Sequence, residues 1–351
     1  MAYTTIDDPS AYFQTALYTG NASSNKAITN DGNSDLQPDW VWIKERSSTS
    51  SHFVNDSVRG AGKNLYTNLA EAEGTNTALF TSFDSDGFTV GNTNQGNENS
   101  ETYVAWQWKA GTSFSNDASS TSIGTIDSTG SVNTDAGFSI IQYTATGSNA
   151  TIAHGLGVAP AWILVKGRTT ANNWRVGHNG LSSWTYRINL EGTAAESSQA
   201  NVWNSTAPTS SVFSIGTSSS VNDSGVVHMA YCFAEKQGYS KFGSYTGNGN
   251  ADGPFIYTGF KPAWILQKNI SATQGWQLQD NKREGYNGDN DLLQPHDSAA
   301  ESGVNRIDIL SNGFKVITTD AGQNSSGVTY IYMAFAESPF VTSTGIPTTA
   351  R

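Results

Sequence analysis

The chain has 351 residues (37.4 kDa), enough for two or three cores of ordinary size, with a formal net charge of −11 and a pI near 4.8. Its 19 Lys and Arg are scattered, with Lys282-Arg283 the one adjacent pair, which argues against the clustered cationic face a nucleic-acid surface needs. The one cysteine, Cys232, excludes an internal disulfide framework and a thiolate metal cluster, and its apolar surroundings predict a buried, inert thiol.

Only 36% of residues are apolar, yet Phe, Tyr and Trp make up 11% and 35 residues are Gly. Aromatic and β-branched residues set among turn formers predict an all-β chain of many short strands. The first residues, Met1-Ala2-Tyr3-Thr4-Thr5-Ile6-Asp7-Asp8-Pro9, carry neither a basic nor an apolar leader region, so no secretory signal and synthesis in a cytoplasm are expected. No apolar run approaches the length that spans a bilayer, and no membrane insertion is expected.

In chain order, the first module (1–110) opens on the strand-like Ala11–Asn21 and continues with Pro38-Asp39-Trp40-Val41-Trp42-Ile43-Lys44. Strands are predicted around Ser51–Gly60, Leu65–Leu69 and Phe88–Gly91, the last after a turn at Asp84-Ser85-Asp86-Gly87, and the module closes on Tyr103–Lys109. Residues 111–136 are almost entirely Gly, Ser, Thr, Asn and Asp and read as a linker, at most pinned as an edge strand, leaving module one free to lie apart.

The second module (137–237) repeats the order with Phe138–Thr144, Pro160-Ala161-Trp162-Ile163-Leu164-Val165-Lys166, Trp174–His178 and His228–Glu235. The third (238–340) does so again with Phe242–Asn248, Pro262-Ala263-Trp264-Ile265-Leu266-Gln267-Lys268, Trp276–Asp280 and Tyr330–Glu337. Four shared words in one order, about 100 residues apart, argue for internal duplication. Modules two and three, joined directly, are expected to sit as a rigid pair, and the tail (341–351) is expected to be exposed. Single helical turns are expected at Ala70–Glu73 and Ala299–Glu301. Short strands in units of this length predict three tandem β-sandwich modules, jelly-roll-like.

In the repeated Pro-x-Trp strand, Trp40 and Trp42 share one face and Val41 and Ile43 the other, so the strand is expected to be interior and covered on both sides, with its proline at the first residue. Core packing is therefore the expected role of Trp40, Trp162 and Trp264, against an aromatic sugar platform. The five histidines, His52, His154, His178, His228 and His296, show no metal-ligand spacing. The Asp84–Gly87 turn begins like a calcium loop but lacks the later carboxylates.

Glu235 and Glu337 recur at one place in duplicated modules, which suits structure better than a catalytic carboxylate pair. Asp56/Arg59 and Asp280/Arg283 also recur and read as local ion pairs, weak if exposed. No catalytic residue, metal or cofactor is assigned, the ligand-binding residues stay unknown, and a non-enzyme is expected.

The words Pro-Asp-Trp-Val-Trp-Ile-Lys at 38–44, Tyr-Thr-Gly-Asn at 18–21 and 245–248, and Tyr-Ile-Tyr-Met-Ala-Phe-Ala-Glu at 330–337 resemble a family of repeated domains of unknown function. Those domains are found in structural proteins of tailed bacteriophages, many of them marine. The resemblance covers essentially the whole chain and implies a virion component displayed outside. It implies a capsid decoration, knob or short tail appendage, with other virion proteins and further copies as partners and a host surface glycan as a candidate ligand. A carbohydrate-binding tail fibre is the alternative reading, and a polysaccharide depolymerase a more distant one.

Overall fold

The computed structural model describes residues 2–283, 287–288 and 290–348. These residues are mostly β, in several antiparallel sheets with a few one-turn helices between them. In the first repeat the opening strand Phe13–Thr19 pairs with the closing strand Thr102–Trp108, whose other edge takes the Pro-x-Trp strand Trp40–Glu45. Phe53–Asp56 and Lys63–Tyr66 extend the sheet from there.

The second repeat has the same order in Phe138–Thr144, Val227–Phe233, Trp162–Gly167, Arg175–His178 and Tyr186–Asn189. The third repeats it in Ser240–Thr246, Thr329–Pro339, Phe260–Asn269 and Gln277–Asp280. First and last segments of each repeat therefore lie side by side as paired strands, which ties the repeat's ends together.

The Pro-x-Trp strands are buried along their whole length in the first two repeats. Period-two alternation explains both covered faces. On one face Val41, Ile43, Tyr103 and Ala105 pack under a small sheet of Lys26–Thr29, Gly87–Val90 and Ser82–Asp84. In the second repeat Ile163, Val165, Ala230 and Cys232 pack under Ala150–Ala153 and Val212–Ile215. Proline does not begin the strand in any repeat: Pro38 and Pro160 stand two residues ahead of strands that start at Trp40 and Trp162, and in the third the strand starts at Phe260 and Pro262 sits in a bulge, a position where a missing ladder donor is tolerated.

The opposite faces carry the tryptophans and have no small sheet over them. They are covered by one another. Trp40 lies 5.1 Å from Tyr231 and 5.9 Å from Phe233, Trp108 5.5 Å from Trp264, Phe233 5.8 Å from Phe335, and Phe335 5.4 Å from Phe13, by ring centroids. One aromatic core thus joins all three repeats. The first repeat does not lie apart, because its inner face would otherwise expose Trp40, Trp42, Trp106 and Trp108 to water.

The segment 111–136, expected as a linker at most pinned as an edge strand, contributes two strands, Thr112–Asn116 and Ser128–Asn133, to the edge of the second sheet beside Phe138–Thr144. Its polar chain is held by backbone pairing and by side-chain caps, such as Asp117 Oδ1 accepting from the amides of Ser119 and Ser120. The expected helical turns at Ala70–Glu73 and Ala299–Glu301 are extended chain, because both segments hydrogen bond to a neighbouring repeat: the Glu73 amide donates to the Arg168 carbonyl and the Glu301 amide to Arg46. In the tail, Val341 bridges Pro347 and the Ser343 amide donates to Asp7; residues 349–351 lie outside the described residues.

Candidate functional site

The residues singled out by sequence are mostly structural. Trp40, Trp162 and Trp264 are buried, as is Cys232, whose thiol burial pushes well up. The five histidines are dispersed, and burial lowers all their pKa values, to about 4 for His154 and His178. Among the described residues no group of three or more His, Cys, Asp or Glu could hold a metal ion. The turn at 84–87 is a hairpin whose carboxylates are engaged: Asp84 accepts from the hydroxyls of Ser82 and Thr89, and Asp86 from the Leu36 amide.

Asp56/Arg59 and Asp280/Arg283 are not surface pairs. All four side chains are fully buried, and each pair locks one repeat to the next. Asp56 Oδ2 accepts from the Tyr231 hydroxyl of the second repeat at 2.7 Å, and Asp280 Oδ2 from Trp106 Nε1 of the first at 3.0 Å. Glu73 then bridges Arg59 and Arg168, while Glu301 bridges Arg283 and Arg46.

The remaining boundary follows the same geometry with other residues. Strand pairing places His178 where the Asp stands, and its Nε2 lies 3.2 Å from the Tyr332 carbonyl of the third repeat. Leu181 and Ile270 replace the two arginines, and Glu196 instead accepts from Ser182, although its amide still donates to the Ile270 carbonyl. Repeat one thus contacts two, two contacts three and three contacts one, a closed head-to-tail ring with pseudo-threefold symmetry. Two of three buried lysines follow the same rule: Lys166 Nζ donates to the Ala70 carbonyl and Lys268 Nζ to that of Thr193, each reaching into the preceding repeat, whereas Lys44 donates within its own repeat to the carbonyls of Glu45 and Ser48. Burial lowers all three lysine pKa values to about 8.

The bridging glutamates and arginines escaped sequence reasoning, though a signal was there. Lys44-Glu45-Arg46 matches Lys166-Gly167-Arg168, and Ala-Glu recurs at 72–73, 195–196 and 300–301.

The seam where the last repeat meets the first holds an open cleft of about 390 Å³. Its floor includes Phe13, Ala263 and Ala336; Asp8, Ser10, Asp31 and Asn33 line one wall, and Asn281, Lys282 and Glu337 the other. The first wall is fixed by Gln14, whose Nε2 donates to the carbonyls of Ser10 and Ser34 while its Oε1 accepts from the Gly32 amide. A side chain at Gly32 would meet the Gln14 carboxamide, 2.5 Å from its Cβ position, and would have to displace the group that fixes this wall.

Asp8 accepts from the hydroxyls of Ser10 and Ser34. Lys282 reaches across to both Asp31 oxygens at 2.9 Å, and Glu337 pairs with Lys261 at 2.8 Å and accepts from Asn281 at 2.6 Å. Glu235 makes the corresponding exposed pair with Lys241. The arrangement is a polar, mixed donor and acceptor cleft over an apolar floor.

Comparison with curated proteins finds no match. A family model, a domain of unknown function (DUF7483), matches residues 8–339 and so takes in all three repeats and both walls of the cleft. The chain belongs to this DUF7483 family.

Proposed function

We propose that the protein is a non-enzymatic structural component of a tailed-phage virion, carried on the particle exterior as a capsid decoration, knob or short tail appendage. On this reading each repeat of about 100 residues is a jelly-roll-like sandwich, and the partners are capsid or tail proteins and further copies of the chain. The observation that carries it is the closed ring: three sheets packed on one aromatic core and locked at buried charges form a rigid block whose outer loops are free for contacts. The resemblance of the repeated words to phage structural domains supplies the particle, and the net charge of −11 suits a soluble, exposed surface.

Antibody labelling of intact particles tests the placement. Signal over the whole head supports decoration, signal confined to the tail supports an appendage, and absence of the chain from purified particles overturns both. Copy number separates them again, hundreds implying decoration and about a dozen an appendage. The polar cleft favours host attachment as a second reading, in which the chain acts as a carbohydrate-binding adhesin. A depolymerase would release reducing ends from host polysaccharide, and this reading predicts none.

A further inference from the structure

We infer that the cleft between the first and third repeats is a binding site for an uncharged sugar ring. The argument begins from what the pseudo-symmetry leaves unequal. Strand pairing and matching backbone bonds, Ser57 amide to Asp39, Asn179 to Ala161 and Asn281 to Ala263, align the three seams residue by residue.

At the first-to-second seam the positions of Asn281, Lys282 and Glu337 are held by Ser57, Val58 and Ala110. Val58 packs on the core, and Asp39 there is consumed by the amides of Ala110 and Gly111. At the second-to-third seam they are held by Asn179, Gly180 and Glu235, the last paired with Lys241 of the third repeat. Only the seam that closes the ring combines polar residues at all three positions with the added wall of residues 8–10 and 31–34.

The lining chemistry selects the ligand class. Pyranose hydroxyls both donate and accept, and here carboxylate oxygens of Asp8, Asp31 and Glu337 retain lone pairs beyond the bonds they already make, while Asn33 and Asn281 supply both functions. The apolar floor matches the C–H face of a ring. An anionic saccharide would meet three carboxylates against the single Lys282 of the lining, so sulfated and uronic sugars are disfavoured. A volume of about 390 Å³ lies in the range of small-molecule sites and holds a short saccharide segment. Affinity for one such open site is modest, and many copies on one particle would raise it by avidity.

The inference rests on the proposed exterior role for the source of the sugar, and on the cleft alone for the chemistry. The test uses the full-length chain on an array of defined neutral hexose and N-acetylhexosamine oligosaccharides beside sulfated and uronic ones, followed by solution titration of the strongest neutral glycan. Neutral glycans are expected to bind, with Asn281→Ala and Glu337→Gln each weakening binding about tenfold or more and leaving the melting temperature in place. Lys282→Gln, at a half-exposed position, serves as the milder variant should either of these unfold, and is expected to weaken binding too. Tyr257→Ser, on an exposed strand face outside the cleft, is expected to change nothing. An array without binding, binding confined to sulfated or uronic glycans, or wild-type affinity in the cleft variants overturns the inference. Particle labelling decides the virion reading independently of these results.

Discussion

Asp280 is fully buried, yet its carboxylate accepts from Arg283 Nε, from the amides of Lys282 and Arg283, and from Trp106 of another repeat. Such a group is stable only while every partner remains, because removing one leaves a charge in a low-dielectric interior. Arg283→Met is therefore expected to cost about 3 kcal/mol or more in a urea titration. Removing both charges at once follows what the second repeat already does with His178 and Leu181. Asp280→His combined with Arg283→Leu should be less destabilising than Arg283→Met alone, and a greater loss in the double variant would refute the equivalence.

The buried histidines set the acid limb. Their folded pKa values lie below the ordinary 6.5, near 4 for His154 and His178, so the unfolded chain binds more protons throughout that window. Their contribution is present above about pH 6.5 and is lost as pH falls toward 4. The lysines near 8 act with the same sign at higher pH: the folded state sheds their protons first, and stability rises from about pH 8 toward 10. Buried tyrosines with raised pKa values, such as Tyr143 and Tyr245, reverse the trend above about 10. Denaturant midpoints at pH 5, 7 and 9.5 should increase in that order, and a decline between 7 and 9.5 would contradict the lysine assignment.

Among the elements, the Pro-x-Trp strand was the most legible, since alternation alone assigns Trp40 and Val41 to opposite covered faces. Alternation does not say what covers each face. A tryptophan face beneath a small sheet and one beneath a second copy of the fold read identically, and the difference lies in contacts between residues more than 100 positions apart, such as Trp106 with Asp280. The 112–133 hairpin was illegible for another reason. Its strands are Thr-Ser-Phe-Ser-Asn and Ser-Thr-Gly-Ser-Val-Asn, with no apolar period, and they are ordered by ladder bonds to Phe138–Thr144. The cleft was also hidden, because its walls come from opposite ends of the chain and from positions where the repeats differ.

Gly130 makes the hairpin testable. A Cβ there would stand 1.9 Å from the Ile140 carbonyl oxygen, so Gly130→Val should detach the 112–133 hairpin from the second sheet. Limited proteolysis is expected to cut within 111–136 in the variant while the three repeats stay protected. Wild-type protection of that segment would mean that the strand accommodates the side chain.

At the level of the whole molecule, one chain builds a head-to-tail ring that many proteins build from three subunits. The seams are unequal: two are locked by buried Asp, Arg and Glu, and the third relies on His178, apolar Leu181 and Ile270, and backbone bonds. Local opening should begin there. In hydrogen exchange the Glu196 amide, bonded to Ile270, is expected to exchange before the corresponding amides of Glu73 and Glu301. Equal protection at the three positions would show that the charged locks add nothing to seam stability.

That the three repeats form one body around a shared core is tested most directly by small-angle X-ray scattering of the monomeric fraction in solution. A compact chain of 351 residues should give a radius of gyration of about 20 Å and a bell-shaped pair-distance distribution. A clearly larger radius with a skewed or multi-peaked distribution, as from modules strung on linkers, would contradict the closed ring.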